Sequence, residues 1–109
     1  MPAAKIVVLY PPPRDVNKFE RVYTQDHAPM VTPQNFEGIT KFVASKIVGT
    51  PDGSPPPFHR IAELHFPSLA ALQKAAGSAG GQQAVAHAIA ISSGGRPVFM
   101  VAEEETTGF

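Results

Sequence analysis

Cysteine is absent from this 109-residue chain. Without a thiol there is no disulfide, no thiolate nucleophile and no cysteine-ligated metal or iron–sulfur cluster. A surplus of charge is missing too: nine Lys and Arg balance nine Asp and Glu. With no basic run, nucleic acid and anionic membrane surfaces are excluded as main partners. No apolar run approaches the roughly 20 residues that span a bilayer. The N-terminal MPAAKIVVLY holds one lysine and an apolar stretch too short for a secretory signal, so a cytoplasmic location is expected. Phosphate-binding glycine loops are lacking. Residues 77–81 (GSAGG) and 92–95 (SSGG) have neither the strand-then-helix context nor the lysine such loops need, and read as breakers. No nucleotide or flavin motif and no internal repeat occurs. Length suits one domain over residues 1–109, with its core at about 5–104.

Residues 5–10 (KIVVLY) form a continuous aliphatic and β-branched run, expected as a strand central in its sheet. The triple proline 11–13 ends it. Residues 32–38 read as a polar connector. Residues 40–48 (TKFVASKIV) are the next strand, and its two lysines suggest a sheet edge. The turn-rich GTPDGSPPP at 49–57 is a long hairpin loop and a candidate flap. Residues 58–66 (FHRIAELHF) alternate, with Phe58, Arg60, Ala62, Leu64 and Phe66 on one face and His59, Ile61, Glu63 and His65 on the other. Ser68 is a candidate cap for a helix whose buried stripe is Leu69, Leu72 and Ala76. A short alanine-rich helix follows from 82 to about 90, then a strand at 97–103. The order β-α-β-β-α-β is the split βαβ, or ferredoxin-like, arrangement: an α+β fold with a four-stranded antiparallel sheet. Val43, Ile47 and Ile61 make the uncovered sheet face apolar enough to pair with a second copy, so a homodimer through that face is expected.

The stretch that carries chemistry is 16–30 (VNKFERVYTQDHAPM). Val16, Phe19, Tyr23, His27 and Met30 recur at spacings of three and four, which places them on one helix face. Asp15 can cap the helix, and Pro29 should stop it near His27. An imidazole then sits at the inner edge of a helix end, with a phenol one turn back. Imidazole titrates near pH 6.5 and can give or take a proton at working pH. His27 could abstract a proton alpha to a carbonyl, while Tyr23 donates a hydrogen bond to the developing oxyanion. The competing structural role is an imidazolium that caps the helix C-terminus, worth about 0.3–1 kcal/mol. Asp26 points about 100° away from His27 and is a poor orienting partner. His59 and His65 lie about 20 Å apart along one strand and cannot share a metal. His87 reads as a surface residue. No metal site is expected. Arg60 needs an acidic partner, with Glu63 and Glu103 as candidates.

These residues resemble a known family. A first strand KIVVLYPPP, a helix ending in Tyr23-x-x-x-His27-x-Pro29-Met30, the FHRIAELHF strand, a glycine-rich break and a last strand VFMVAE are similar to the EthD family of the dimeric α+β barrel superfamily. The resemblance implies a ferredoxin-like fold, a dimer whose sheets face each other as a barrel, and a pocket between each sheet and its own helices. The family histidine and tyrosine match His27 and Tyr23. Muconolactone isomerases of the superfamily can use a cysteine, a mechanism this chain lacks the residue for.

Together these readings give a cofactor-free enzyme for a small apolar or aromatic carbonyl compound, of isomerase, cyclase or monooxygenase type. His27 and Tyr23 would be its catalytic pair; Phe19, Met30, Arg60 and Leu64 are the candidate substrate-binding residues. Two alternatives stand beside it: a non-catalytic accessory protein that binds a hydrophobic metabolite for an oxygenase, and a structural dimer.

Overall fold

The computed structural model describes residues 2–109. Four strands, β1 (Ala4–Tyr10), β2 (Lys41–Lys46), β3 (Arg60–Phe66) and β4 (Val98–Glu103), form one sheet in the order β2-β3-β1-β4. Every pairing is antiparallel. The chain is therefore an α+β protein of ferredoxin-like topology, with the aliphatic β1 inside the sheet and the lysine-bearing β2 at its edge.

Register assigns the two faces. Ile6 sits opposite Leu64 and Val8 opposite Ala62, and all four are buried with Ala4, Tyr10 and Phe66 beneath the helices. The other face carries Val7, Leu9, Ile61 and Met100, with Lys5, Glu63 and His65 toward one end. There Lys5 Nζ donates to Glu63 Oε1 at 2.8 Å, and His65 Nδ1 lies 2.7 Å from Glu104 Oε1.

The first helix, α1 (Val16–Val22), begins where the Asp15 carboxylate accepts the Lys18 N–H at 3.0 Å. It does not run on as an α-helix to His27. Residues Tyr23–His27 form a wider π-helical turn, closed by the Ala28 N–H on the Tyr23 carbonyl, and Ala28–Met30 is a single 3-10 turn. The expected inward face holds at Phe19, Tyr23 and His27, while Val16 is exposed.

Ser68 caps α2 (Leu69–Ala76), as expected, by accepting from the Ala71 N–H. The last helix, α3 (Ala79–Ile91), starts inside the glycine run that reads as a breaker. Ser78 caps it, and Gly80 is needed because a Cβ there would lie 2.7 Å from the Asn35 Cα. The supposed polar connector 32–38 hides Phe36, one of the most deeply buried residues. Its N–H bonds to the Thr32 carbonyl and its carbonyl accepts from Ile39, folding the segment so that the ring turns inward.

Among the described residues no helix is long and apolar enough to cross a membrane.

Candidate functional site

Between the inner sheet face and the helices lies an apolar cavity. It is small and partly open to solvent, with a cavity volume of about 30 Å³. Aliphatic and aromatic side chains form nearly all of its wall, among them Val8, Phe36, Phe42, Leu64 and Phe99. Two polar groups reach it: Tyr10 from the C-terminal end of β1 and His27 from the π-helical turn.

These two touch. The Tyr10 hydroxyl lies 3.2 Å from His27 Nε2. On the far side of the imidazole, His27 Nδ1 lies 2.9 Å from His87 Nδ1, and the two ring planes differ by 25°. The histidines thus meet through their Nδ1 edges and share one proton. His27 is 6% exposed. Burial among apolar walls, and then the neighbouring His87, push its pKa down to about 4 from an ordinary 6.5. At neutral pH it is an uncharged imidazole with one ring proton.

The location of that proton follows from counting partners. Among the described residues the Tyr10 hydroxyl has no hydrogen-bond partner other than His27. Its O–H is satisfied only by donating to Nε2. The His27 proton then sits on Nδ1 and is donated to His87 Nδ1, leaving the His87 proton on Nε2. Burial raises the Tyr10 pKa well above its ordinary value, so its phenol stays protonated and serves as a donor.

Beside this chain lies a polar cluster. Arg60 donates through Nε and Nη2 to the two Glu20 oxygens, at 3.0 and 2.7 Å. His59 Nε2 donates to Glu20 Oε2 at 3.0 Å. The Arg60 guanidinium also sits 4.8 Å from the centroid of the Tyr23 ring. Its hydrogen bond to Arg60 is the main reason the Glu20 carboxyl is held down to about 2. Arg60 accordingly pairs with Glu20 of α1, and not with Glu63 or Glu103. His59 precedes β3, escapes the strand's alternation, and joins the helix side instead of the Ile61 face.

Of the residues singled out from sequence, His27 and Leu64 line the cavity. Tyr23 is buried beside His27, with ring centroids 5.8 Å apart, but its hydroxyl has no partner. Phe19 borders a second groove with Arg14 and Lys18. Met30 packs at the core margin and Arg60 is held by Glu20; neither is part of the cavity wall. Two members of the site went unread. Tyr10 looked like the last residue of a strand, although its place in the β1 alternation fixes it inward with Ile6 and Val8. His87 is half-buried against His27, not on the open surface as expected. Among the described residues no three His, Cys, Asp or Glu side chains gather as a metal site.

A four-stranded antiparallel sheet covered on one face by helices, with a buried imidazole and phenol facing an apolar pocket, defines a ferredoxin-like α+β domain. The chain belongs to the EthD family: the family model described as the EthD domain matches residues 11–89. A relative in Rhodococcus erythropolis, an uncharacterised 11.0 kDa protein encoded between thcB and thcC, is 32% identical over 92% of this chain and 94% of its own length. An ethyl tert-butyl ether degradation (EthD) family protein of Bacillus halodurans C-125 superposes with a TM-score of 0.84 at 25% identity, covering 94% of this chain and 99% of that one. Two further structures share the fold alone. A dimeric protein of ferredoxin-like fold from Bacteroides fragilis matches at TM-score 0.67 and 15% identity, over 94% and 96% of the two chains. A mutant of SnoaB, a cofactor-independent oxygenase from Streptomyces nogalater, matches at 0.65 and 12% identity, over 98% and 97%.

Proposed function

We propose that this protein binds a small apolar carbonyl compound in the cavity and moves a proton on it without a cofactor. The observation that carries this reading is the neutral His27, held with Nε2 toward an apolar pocket beside a phenol that stays protonated. A free-energy cost attaches to charge in such a place, so groups there are arranged to hand protons over. The substrate carbonyl oxygen takes the Tyr10 O–H in place of Nε2. Nε2 is then free to accept a proton from the carbon alpha to that carbonyl, and the enolate oxygen is held by Tyr10. Return of the proton to another carbon isomerises the substrate; attack of the enolate carbon on a second carbonyl cyclises it. Tyr10 takes the donor role expected of Tyr23, whose ring backs the imidazole. Phe19 and Arg60 pack against the Tyr23 ring, Met30 packs at the core margin, and Leu64 lines the space the ligand would take. The fold shared with a cofactor-independent oxygenase supports chemistry of this class.

The outer sheet face supports a homodimer: Val98 and Met100 are 39% and 45% exposed beside Leu9 and Val7, and a protein of the same fold is dimeric.

The test reads deprotonation without knowing the product. Cyclic ketones, lactones and quinones are incubated with the protein in D2O, and loss of the alpha-proton signal is followed by NMR. Wild type is expected to accelerate exchange for at least one compound, and His27→Gln to lose about 100-fold or more of that rate. Thermal shifts report binding in parallel: saturation at 100 times Kd stabilises by about 2.7 kcal/mol. Binding that survives in His27→Gln, with no exchange in either form, would move the assignment to a metabolite-binding accessory protein.

A further inference from the structure

We propose that His87 is the solvent-side member of a two-histidine proton relay, through which a proton taken up at His27 Nε2 in the pocket emerges at His87 Nε2. The use of this relay rests on the acid–base reading above; its existence rests on the contact geometry.

Three observations carry it. The first is the 2.9 Å Nδ1–Nδ1 separation, which two neutral rings can adopt only with one proton between them. Next is the gradient of burial: Tyr10 is 0% exposed and His27 6%, while His87 is half-buried and reaches toward water. The third is direction. Tyr10 has one partner, which orients every donor in the row outward, from Tyr10 O–H to Nε2 and from Nδ1–H to His87 Nδ1. The ionisable groups set against the pair are Tyr10 from β1 and Tyr23 from the π-helical turn. Among the described residues no carboxylate lies within ion-pairing distance of either imidazole. The charge of an incoming proton therefore has one outlet toward water, the ring of His87.

The transfer balances. The substrate C–H bond breaks and His27 Nε2–H forms, with the electron pair left on the enolate. His27 Nδ1–H breaks as His87 Nδ1–H forms. His87 Nε2–H then breaks, and that proton passes to water. His27 is neutral before and after, and carries its proton on Nε2 instead of Nδ1. The base itself thus stays uncharged, and the negative charge left in the site is that of the enolate oxygen, held by the Tyr10 O–H. Run in reverse, the same steps reload the pocket from solvent.

Ring 15N NMR of the whole protein tests this without any substrate. At neutral pH His27 is expected as the Nδ1–H tautomer and His87 as Nε2–H. A proton that reaches His87 from solvent puts an N–H on its Nδ1, facing His27, whose own proton must then move to Nε2. The expected result is that the tautomers of the two rings change together across a pH series, and that His27 keeps one tautomer in His87→Gln. Tautomers that change independently, or a His27 that keeps Nδ1–H throughout in wild type, overturn the relay. In the exchange assay, His87→Gln is expected to slow alpha-proton exchange by about 10-fold or more and to remove the acid limb of the pH–rate profile. Wild-type rates and profile in that variant would also overturn it. If the tautomer switch is present but no carbonyl compound exchanges, the relay stands and the proposed chemistry falls.

Discussion

Keeping His27 neutral has a measurable consequence for stability. Its pKa falls from 6.5 in the unfolded chain to about 4 in the folded one. The folded state therefore binds fewer protons than the unfolded state between those limits, and the protein should lose stability as pH falls through that window. Every tenfold change in proton affinity between the two states is worth about 1.36 kcal/mol. With the imidazole 6% exposed, water screens little of this, and the loss attributable to His27 should be about 2–3 kcal/mol. The perturbation is His27→Gln, which keeps a hydrogen-bond acceptor for Tyr10 and cannot titrate. Urea unfolding followed by far-ultraviolet circular dichroism gives the stability of each form at a series of pH values, at fixed protein concentration because self-association would add its own contribution. Other titrating groups are common to both proteins and cancel to first order in the difference. Wild type should exceed the variant most above pH 6.5, and the gap should close by about 2–3 kcal/mol on approach to pH 4. His87→Gln removes one of the two causes of the lowered pKa and should shrink that closure. A gap constant across the window would mean that His27 is not desolvated in the folded protein, and the cavity as described would be wrong.

Glu20→Gln removes the partner of a half-buried guanidinium and should cost about 2 kcal/mol at neutral pH by chemical denaturation. Since the Glu20 pKa is held down to about 2 from an ordinary 4.5, its contribution is complete above 4.5 and is lost as pH falls toward 2, so the two stabilities should converge over that range. Phe36→Ala empties a fully buried ring site on the cavity wall and should cost about 3–5 kcal/mol, read as a shift in urea midpoint at unchanged slope. Met100→Glu puts a charge on the outer sheet face next to Val7; sedimentation should find it monomeric at a concentration where wild type is a dimer.

Local chemistry was legible wherever one residue decides a feature by itself. The aliphatic run of β1, the Asp15 and Ser68 caps and the lysines of an edge strand act within a few residues of themselves, and each stands where its pattern places it. Tyr23 and His27 were readable for the same reason, as neighbours on one helical face. What stayed hidden depends on partners far along the chain. His87 lies 60 residues from His27, in an alanine-rich helix whose small side chains give no strong apolar stripe to orient it. Glu20 and Arg60 are 40 residues apart, and no spacing rule joins them. Phe36 sits among Thr, Pro, Asn, Glu and Gly, so composition points outward while one aromatic ring outweighs its neighbours.

The proline that ends the first helix also explains how His27 reaches its partners. In a continuous α-helix Pro29 would lack the N–H for the Gln25 carbonyl, and its ring would press on that carbonyl. Widening the turn before it relieves the clash: the Ala28 N–H reaches back five residues to Tyr23. A π-helical turn carries more than four residues per revolution, so positions four apart line up more closely than on an α-helix. Tyr23 and His27 then share one inward direction, the imidazole between Tyr10 of the sheet and His87 of α3. The backbone feature and the hydrogen-bonded row are therefore one device. Replacing Pro29 with alanine restores the missing N–H and permits an α-helical turn, which would rotate His27 away from Tyr10 or His87. Such a variant should keep its fold, since Pro29 is exposed, yet its His27 tautomer should no longer follow that of His87. If Pro29→Ala leaves that coupling intact, the packing of α3 holds the imidazole in place and the proline does not.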